Sequence, residues 1–347
     1  MGGGRSVGVV GASGFGGTEL LRLLARHPEV TVAVRAAAGN AGRRLGDLAP
    51  GLPPAAGGDE VLVAPDPDRL AELDLVLLAT PDEVSLELAP VLAAAGTRVV
   101  DLSGAFRLRA ADYDAWYRRP HTAPSHAADG AEPAVYGLTE WARDEVAAAR
   151  LVANPGCYPT ATLLGLRPLV ELVEPDGVVV SAVSGTSGAG RSTRDDLQAS
   201  VVLGDVVAYG APSHRHTVEI ETHLGGGAPV AFTPHLVPVA RGMLVTASAV
   251  LRPGVGQADV DAALSDAYAA EAFVHVLPAG TFPRLKAVNG SNACQVSAVV
   301  DPRTGRVLVS SAIDNLGKGA AGQALQNANL MLGLDEELGL EAIGVWP

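Results

Sequence analysis

Val7-Gly8-Val9-Val10 runs directly into Gly11-Ala12-Ser13-Gly14-Phe15-Gly16-Gly17, and apolar residues at helical spacing follow from Thr18 to His27. A short apolar strand, a glycine turn and a helix in that order commit this end of the chain to a βαβ unit with a parallel sheet. Glycines let the backbone turn tightly and approach a pyrophosphate, whose charge the N-terminus of the following helix stabilises. The spacing here, Gly11, Gly14 and Gly17, is a variant of the commoner dinucleotide fingerprint, and a merely tight strand-to-helix turn is the alternative.

The second strand, Val30 to Val34, bears on the cofactor. An NAD enzyme places an acid near the end of this strand for the ribose hydroxyls, whereas NADP needs space and positive charge for its extra phosphate. The strand ends Val34-Arg35-Ala36, Asn40, Arg43 and Arg44 follow, and no acid occurs before Asp47. NADP(H) is expected, with Arg35 facing the phosphate; arginines on an exposed loop are the bland alternative. Leu73 to Ala79 and Arg98 to Leu102 read as further strands, with a helix from Asp82 to Ala95 between them. Ligands bind at the carboxyl ends of such strands, so Thr80-Pro81 and Ser103-Gly104 are expected to face the cofactor.

From residue 157 the texture changes. Gly177 to Ser184, Ala228 to Phe232, Gly242 to Val250, Cys294 to Val300 and Val307 to Ile313 predict a largely antiparallel sheet, with helices at Thr160 to Val173 and Val255 to Glu271. Helical spacing resumes after Asp314 and continues to Leu332. The length of 347 residues accommodates two domains. With 25 Lys and Arg against 38 Asp and Glu, the net charge is −13. Nucleic acid is therefore an unexpected partner, since phosphate backbones are held by clustered cations. No apolar run approaches the length of a membrane span, and the N-terminus has no signal pattern, so a cytoplasmic protein is expected.

Two cysteines, Cys157 and Cys294, are too few for a disulfide framework. Cys157 lies in Asn154-Pro155-Gly156-Cys157-Tyr158-Pro159-Thr160, where Pro159 suits the first turn of a helix. The positive end of that helix favours a thiolate, and a thiolate attacks carbonyl carbon well. Next to a nicotinamide cofactor, such a thiolate suggests attack on an acyl phosphate, reduction of the resulting thioester and release of an aldehyde. The alternative is a small buried hydrophobe. The chemistry requires an acid-base group and a cation for phosphate. His214 and His216, in Ser213-His214-Arg215-His216-Thr217-Val218-Glu219, form the densest histidine cluster, and on a helix Glu219 would neighbour His216 and orient it. No further ligand group is local to the pair, and no metal is expected. Arg107, after the fourth strand, and Arg191, closing Ser184-Gly185-Thr186-Ser187-Gly188-Ala189-Gly190-Arg191, are the candidate cations.

These segments resemble the N-acetyl-gamma-glutamyl-phosphate reductase family of arginine biosynthesis. The likeness rests on GASGFGGTELLRLL from Gly11, the run from Asp101, NPGCYPTA from Asn154, SGTSGAGR from Ser184, HRHTVEI from His214, PVARGM from Pro238, GSN from Gly290 and DNLGKGAAGQALQN from Asp314. It implies a Rossmann-type α/β dinucleotide domain, residues 1–153 and 315–347, and an α+β catalytic and oligomerisation domain, residues 154–314, of the semialdehyde dehydrogenase type. It also implies NADPH-dependent reduction of N-acetylglutamyl 5-phosphate, a small acyl-phosphate substrate, by a homodimer or homotetramer. Cys157 would be the nucleophile, and the histidine pair, His216 above His214, the acid-base, with Glu219 in support. The implied cofactor contacts are Gly11, Ser13, Gly14, Phe15, Gly16, Gly17, Arg35, Pro81, Ser187, Gly188, Asn315 and Gly319; those to substrate are Arg107, Ser184, Arg191 and Arg241.

The nearest competitor is the carrier-linked aminoadipyl-phosphate reductase of lysine biosynthesis, which resembles this chain but reads Gly-Cys-Asn around the cysteine, where this one has Gly156-Cys157-Tyr158. The chain departs from its own family's pattern at Thr80-Pro81-Asp82-Glu83, where Leu-Pro-His-Gly is usual, at Ser103-Gly104-Ala105-Phe106-Arg107, where Ser-Ala-Asp-Phe-Arg is usual, and at Thr139, where Pro is usual.

Overall fold

The structure, a computed structural model, describes residues 4–191, 194–225, 227 and 229–346. By its internal contacts the chain forms two units, one running to Pro155 and joined by Ala320–Leu340, the other comprising Gly156–Gly319 and the chain from Glu341 on.

The first unit carries a six-stranded sheet of β1 (Arg5–Val10), β2 (Val30–Ala36), β3 (Leu75–Leu78), β4 (Arg98–Asp101), β5 (Val135–Tyr136) and β6 (Leu151–Ala153), in the order β2-β1-β3-β4-β6-β5. All of its pairings are parallel. β3 is Leu-Val-Leu-Leu with every residue buried, the unbroken apolar run expected of a central strand covered on both faces. The helices at Phe15–Leu24 and Asp82–Ala94 follow β1 and β3, as the apolar spacing predicts. The helix at Gly322–Met331 belongs to the same unit and buries Gln323, Gln326, Asn327 and Asn329. Among them Asn327 is matched: its Nδ2 donates to Gly137 O at 2.8 Å and to Asn154 Oδ1 at 3.1 Å, and Thr139 Oγ1 donates to Asn327 Oδ1 at 2.7 Å.

The second unit is built on a seven-stranded sheet of β7 (Val178–Ser184), β8 (Val207–Ala208), β9 (Val230–Leu236), β10 (Met243–Val250), β11 (Val274–Val276), β12 (Cys294–Asp301) and β13 (Arg306–Ile313). The order is β11-β12-β13-β10-β7-β9-β8. The sheet is mixed: β7 pairs β9 and β11 pairs β12 in parallel, while the other pairs are antiparallel. Burial alternates along β7 and β10, so one face is covered and the other carries exposed residues such as Val179, at 47%. Ala228, expected to begin a strand, lies outside the described residues, and β9 starts at Val230. The helix expected from Thr160 to Val173 begins earlier, at Cys157, and its α-helical part ends at Leu166. Pro159 is tolerated in the first turn, where its missing N–H has no helical partner, and Pro168 falls in a 3₁₀ segment at Arg167–Leu172. No helix among the described residues is long and apolar enough to cross a membrane.

Candidate active site

In the first unit, the glycine turn has the geometry of an anion cradle. Gly11 has φ +82°, and a Cβ on it would lie 2.1 Å from Ala79 O; one on Gly17 would lie 2.2 Å from Gly11 O. Neither position admits a side chain, so the turn closes directly onto the end of β3. Gly14 precedes the helix that starts Phe15-Gly16-Gly17, whose first turn carries no acid to repel a phosphate. Ser13 Oγ accepts a hydrogen bond from Asn40 Nδ2 at 3.0 Å, tying the turn to the chain beyond β2. These residues fit a dinucleotide pyrophosphate.

Arg35 points elsewhere than expected. Its Nη1 donates to Glu60 Oε2 at 2.6 Å and to Val32 O at 3.1 Å, and Gly57 closes over it, since a Cβ there would lie 2.4 Å from Arg35 Nε. Arg107 is buried, and its Nη2 donates to Leu102 O at 2.8 Å within its own loop.

Pro81 precedes the helix Asp82–Ala94, and around it the chain's departures from the family pattern fit one another. Asp82 Oδ1 accepts from Gly104 N at 2.8 Å, and Arg119 pairs with both Asp82 and Glu83. A Cβ at position 104 would lie 2.0 Å from Tyr117 Oη, so any larger residue there would displace the Tyr117 ring. Beside this pair, fully buried Asp101 accepts from Ser85 Oγ and Ser103 Oγ, each at 2.6 Å. Burial pushes its carboxyl up to about 6, against the opposing effect of those hydrogen bonds and of Arg107.

In the second unit, Cys157 is the first residue of its helix and is partly exposed, whereas Cys294 is buried in β12. Gly156 immediately before the helix donates its N–H to Glu219 Oε1 at 2.7 Å and accepts from Thr160 Oγ1 at 2.9 Å. On the other side, Gly319 leaves room for the cysteine: a Cβ there would lie 2.9 Å from Cys157 Cβ.

The histidines lie against Tyr158, the next residue along. Its ring centroid is 5.8 Å from His214 and 5.9 Å from His216, and the two imidazoles are 4.9 Å apart. They differ in what they do. His214 Nδ1 accepts the backbone N–H of His216 at 3.1 Å, at the start of the helix His216–Leu224, so its proton resides on Nε2. Burial, followed by the positive charge of Arg215, lowers its pKa to about 4, with Glu219 opposing. His214 is therefore neutral at physiological pH, and its Nδ1 takes up one of the N–H groups that the start of the helix leaves unpaired. His216 is left as the acid-base candidate. Tyr158 Oη and Tyr209 Oη are 3.0 Å apart, and burial raises both phenols, the nearby Cys157 charge adding to the effect.

The loop after β7 and the chain after β13 are cross-linked. Asn315 Nδ2 donates to Ser187 Oγ at 2.9 Å, and Asn315 Oδ1 accepts from Gly242 N at 2.7 Å. Gly188 passes close to Ser184, where a Cβ would lie 3.0 Å from Ser184 Oγ. Arg241 donates through Nε and Nη2 to the buried carboxylate of Asp314, at 3.2 and 2.8 Å, which fixes the guanidinium plane. The same carboxylate accepts from Gly290 N at 2.6 Å, which ties the Gly-Ser-Asn segment to Arg241. Arg191 is exposed at the end of the Gly-Ser loop.

The structure thus gathers Cys157, Ser184, Ser187, Gly188, His214, His216, Glu219, Arg241, Asn315 and Gly319 in one unit, and the glycine turn, Arg35, Pro81 and Arg107 in the other. Sequence reasoning missed Tyr209 and Asp314. Tyr209 follows the two-residue strand β8, where no periodicity marks it; Asp314 was quoted only as the start of a motif, and its role as a hub depends on partners up to 73 positions away.

A dinucleotide-binding parallel sheet joined to a mixed sheet that presents a helix-terminal cysteine defines a semialdehyde-dehydrogenase-type oxidoreductase. The family models agree: residues 6–149 match the semialdehyde dehydrogenase NAD binding domain, and residues 157–315 the semialdehyde dehydrogenase dimerisation domain. Among solved structures, aspartate semialdehyde dehydrogenase II from Vibrio cholerae, complexed with ASA, is similar with a TM-score of 0.70 at 18% identity, covering 95% of this chain and 98% of that one. Aspartate semialdehyde dehydrogenase with NADP from Candida albicans is similar with a TM-score of 0.68 at 19% identity, covering 95% of this chain and 98% of that one. At such identities the likeness is one of fold.

Closer relatives narrow the class. The chain is 48% identical to N-acetyl-gamma-glutamyl-phosphate reductase of Micrococcus luteus, with 99% of each chain covered. It is 47% identical to the reductase of the same name from Alkalilimnicola ehrlichii, over 98% of this chain and 99% of that one. The chain belongs to the N-acetyl-gamma-glutamyl-phosphate reductase family.

Proposed function

We propose that the protein reduces N-acetyl-L-glutamyl 5-phosphate with NADPH to N-acetyl-L-glutamate 5-semialdehyde and phosphate, a step of arginine biosynthesis, as a cytoplasmic homodimer or homotetramer. The observation that carries this reading is Cys157, held as the first residue of its helix by the Gly156 to Glu219 hydrogen bond, with His216 across the Tyr158 ring. The names of the relatives and the match to a dimerisation domain support it.

Cys157 Sγ attacks the acyl carbon of the substrate, the carbon–oxygen bond to phosphate breaks, and phosphate leaves with its electron pair, so that a thioester remains on the enzyme. A nicotinamide cofactor, when bound, would supply the hydride that reduces the thioester carbon to a hemithioacetal oxyanion held on Cys157. The oxyanion then re-forms a carbonyl, the carbon–sulfur bond breaks, and the thiolate departs. His216 holds the proton that moves in these steps, taking it from the thiol before attack and returning it to sulfur on release. Arg241, fixed by Asp314, and Arg191 receive the anionic groups of the substrate, and Ser184 lines the same face. In the first unit Gly11 to Gly17 receive the pyrophosphate of the cofactor, and in the second the family resemblance assigns Asn315, Ser187, Gly188 and Gly319 to cofactor binding.

The reverse reaction provides the test. Purified protein is expected to form NADPH from NADP⁺ when given N-acetylglutamate semialdehyde and phosphate, and Cys157→Ser to lose turnover while still binding NADP⁺. Near-normal turnover of that variant would overturn the covalent mechanism.

A further inference from the structure

Three arginines follow the second strand of the dinucleotide sheet, and the structure treats them differently. Arg35 is bound to Glu60 at 2.6 Å, and Arg44 to Asp59 at 2.5 Å. Arg43 is exposed, and its hydrogen bond goes to a neutral group, Asn40 Oδ1, at 3.4 Å from Nη1. Asn40 in turn donates to Ser13 Oγ inside the glycine turn. A side chain tethered to the pyrophosphate turn therefore links it to Arg43, the one cation of the three that is paired with no carboxylate among the described residues.

The backbone beneath Arg43 is fixed. Gly42 N donates to Leu62 O at 2.8 Å, and Leu62 N donates to Arg43 O at 2.9 Å, which docks this segment on the following chain. Gly42 has φ +84°, a conformation that glycine adopts without strain. The guanidinium thus stands on a rigid base beyond the end of β2. In dinucleotide folds this is where the adenosine ribose and anything attached to its 2′ oxygen are read. The strand itself contributes no acid at that end, closing on Arg35-Ala36, followed by Ala37, and the acids nearby, Glu60 and Asp59, are held by Arg35 and Arg44.

We propose that Arg43 is the residue that recognises the 2′-phosphate of NADP, with Asn40 holding it toward the glycine turn, while Arg35 is a structural ion pair. This rests on the reading that NADP(H) is the cofactor. A guanidinium free of a carboxylate partner offers paired N–H groups to a phosphate dianion, whereas one already paired would have to break its bond first.

Binding of 2′,5′-ADP and of 5′-AMP, measured calorimetrically, isolates the 2′-phosphate from hydride chemistry. The unaltered protein is expected to prefer 2′,5′-ADP, and Arg43→Ala to lose about tenfold or more in affinity for it while changing 5′-AMP binding by about twofold or less. Arg43→Lys is expected to recover part of the loss, Arg43→Glu to deepen it, and Arg44→Ala to leave the preference intact. If the unaltered protein prefers 2′,5′-ADP but the preference survives Arg43→Ala, or collapses in Arg35→Ala instead, the assignment to Arg43 is wrong and the NADP reading stands. If the unaltered protein binds the two nucleotides equally, the NADP reading fails and the assignment fails with it.

Discussion

Glu219 Oε1 accepts the backbone N–H of Gly156 at 2.7 Å, a contact across 63 positions that fixes the residue before the nucleophile. Glu219 is buried, so removing its carboxylate strands a backbone donor. Glu219→Ala is expected to cost about 1–3 kcal/mol of stability, and about a hundredfold in kcat/KM through misplacement of the thiol. Glu219→Gln keeps an acceptor in place and is expected to retain most of the stability, so its remaining loss of activity measures what the charge does for His216. Denaturant titration and steady-state kinetics on both variants check this; equal stability losses would show that the hydrogen bond has no such role.

The two histidines should separate cleanly. Asn at position 214 supplies a side-chain oxygen that can accept the N–H of His216 in place of His214 Nδ1. His214→Asn is therefore expected to keep activity within about tenfold, and His216→Asn to lose about a hundredfold or more, the range of general acid-base catalysis. The opposite ranking in kcat would transfer the proton-carrying role to His214.

Gly319 is expected to tolerate no side chain. A Cβ would lie 2.9 Å from Cys157 Cβ and 3.2 Å from both Asp314 O and Ile313 Cδ1, so Gly319→Ala must push the cysteine off its position. A fall in kcat of about tenfold or more is expected, together with a changed rate of iodoacetamide alkylation at Cys157. Unchanged alkylation and turnover would mean that the helix start yields freely.

Burial holds His214 at about 4 and also lowers His27 and His121. Unfolded, these groups titrate at 6.5, so below that pH the unfolded chain binds more protons. Their contribution to stability is complete above 6.5 and is lost as the pH falls toward the folded values. Asp101 acts in the opposite sense: raised from 3.8 to about 6, it favours the folded state below 3.8, and that advantage is lost as the pH rises through about 6. The His214→Asn variant is expected to lose on the order of 2 kcal/mol less stability than the unaltered protein between about pH 7.5 and 5. Denaturant titrations of both proteins at the two pH values measure the difference; parallel losses would contradict the lowered pKa.

The sequence reveals what local chemistry determines and conceals what distant partners decide. Val7 to Val10 with its glycines, the Leu-Val-Leu-Leu strand and the helix over Asp82 to Ala94 were readable because period and turn residues are local properties. The cysteine was singled out by its proline neighbour, although the helix starts at Cys157 itself, because proline accepts the third helical position as well as the first. Arg35 shows the limit. Its position at a strand end suggested a phosphate ligand, yet Glu60, 25 residues on, already holds it. Glu219 was read against its helical neighbour His216, and nothing local foretold that it would also accept the N–H of Gly156, 63 positions away. The unusual Asp82 and Gly104 looked like separate losses until the bond between Gly104 N and Asp82 Oδ1 joined them.

The helix Gly322–Met331 completes the sheet unit that begins at the N-terminus, and most of the second unit, Gly156–Gly319, is encoded between its two parts. A nascent chain that has emerged as far as Pro155 therefore carries six strands but lacks Asn327, the partner of Thr139, Gly137 and Asn154. Because domains generally fold as units during synthesis, the part of the catalytic unit up to Gly319 can begin to take shape on the ribosome first, while the cofactor unit must wait for the helix Gly322–Met331. Loss of that helix would accordingly be felt at the N-terminal strands, and the cofactor unit closes only after most of the catalytic unit has been synthesised.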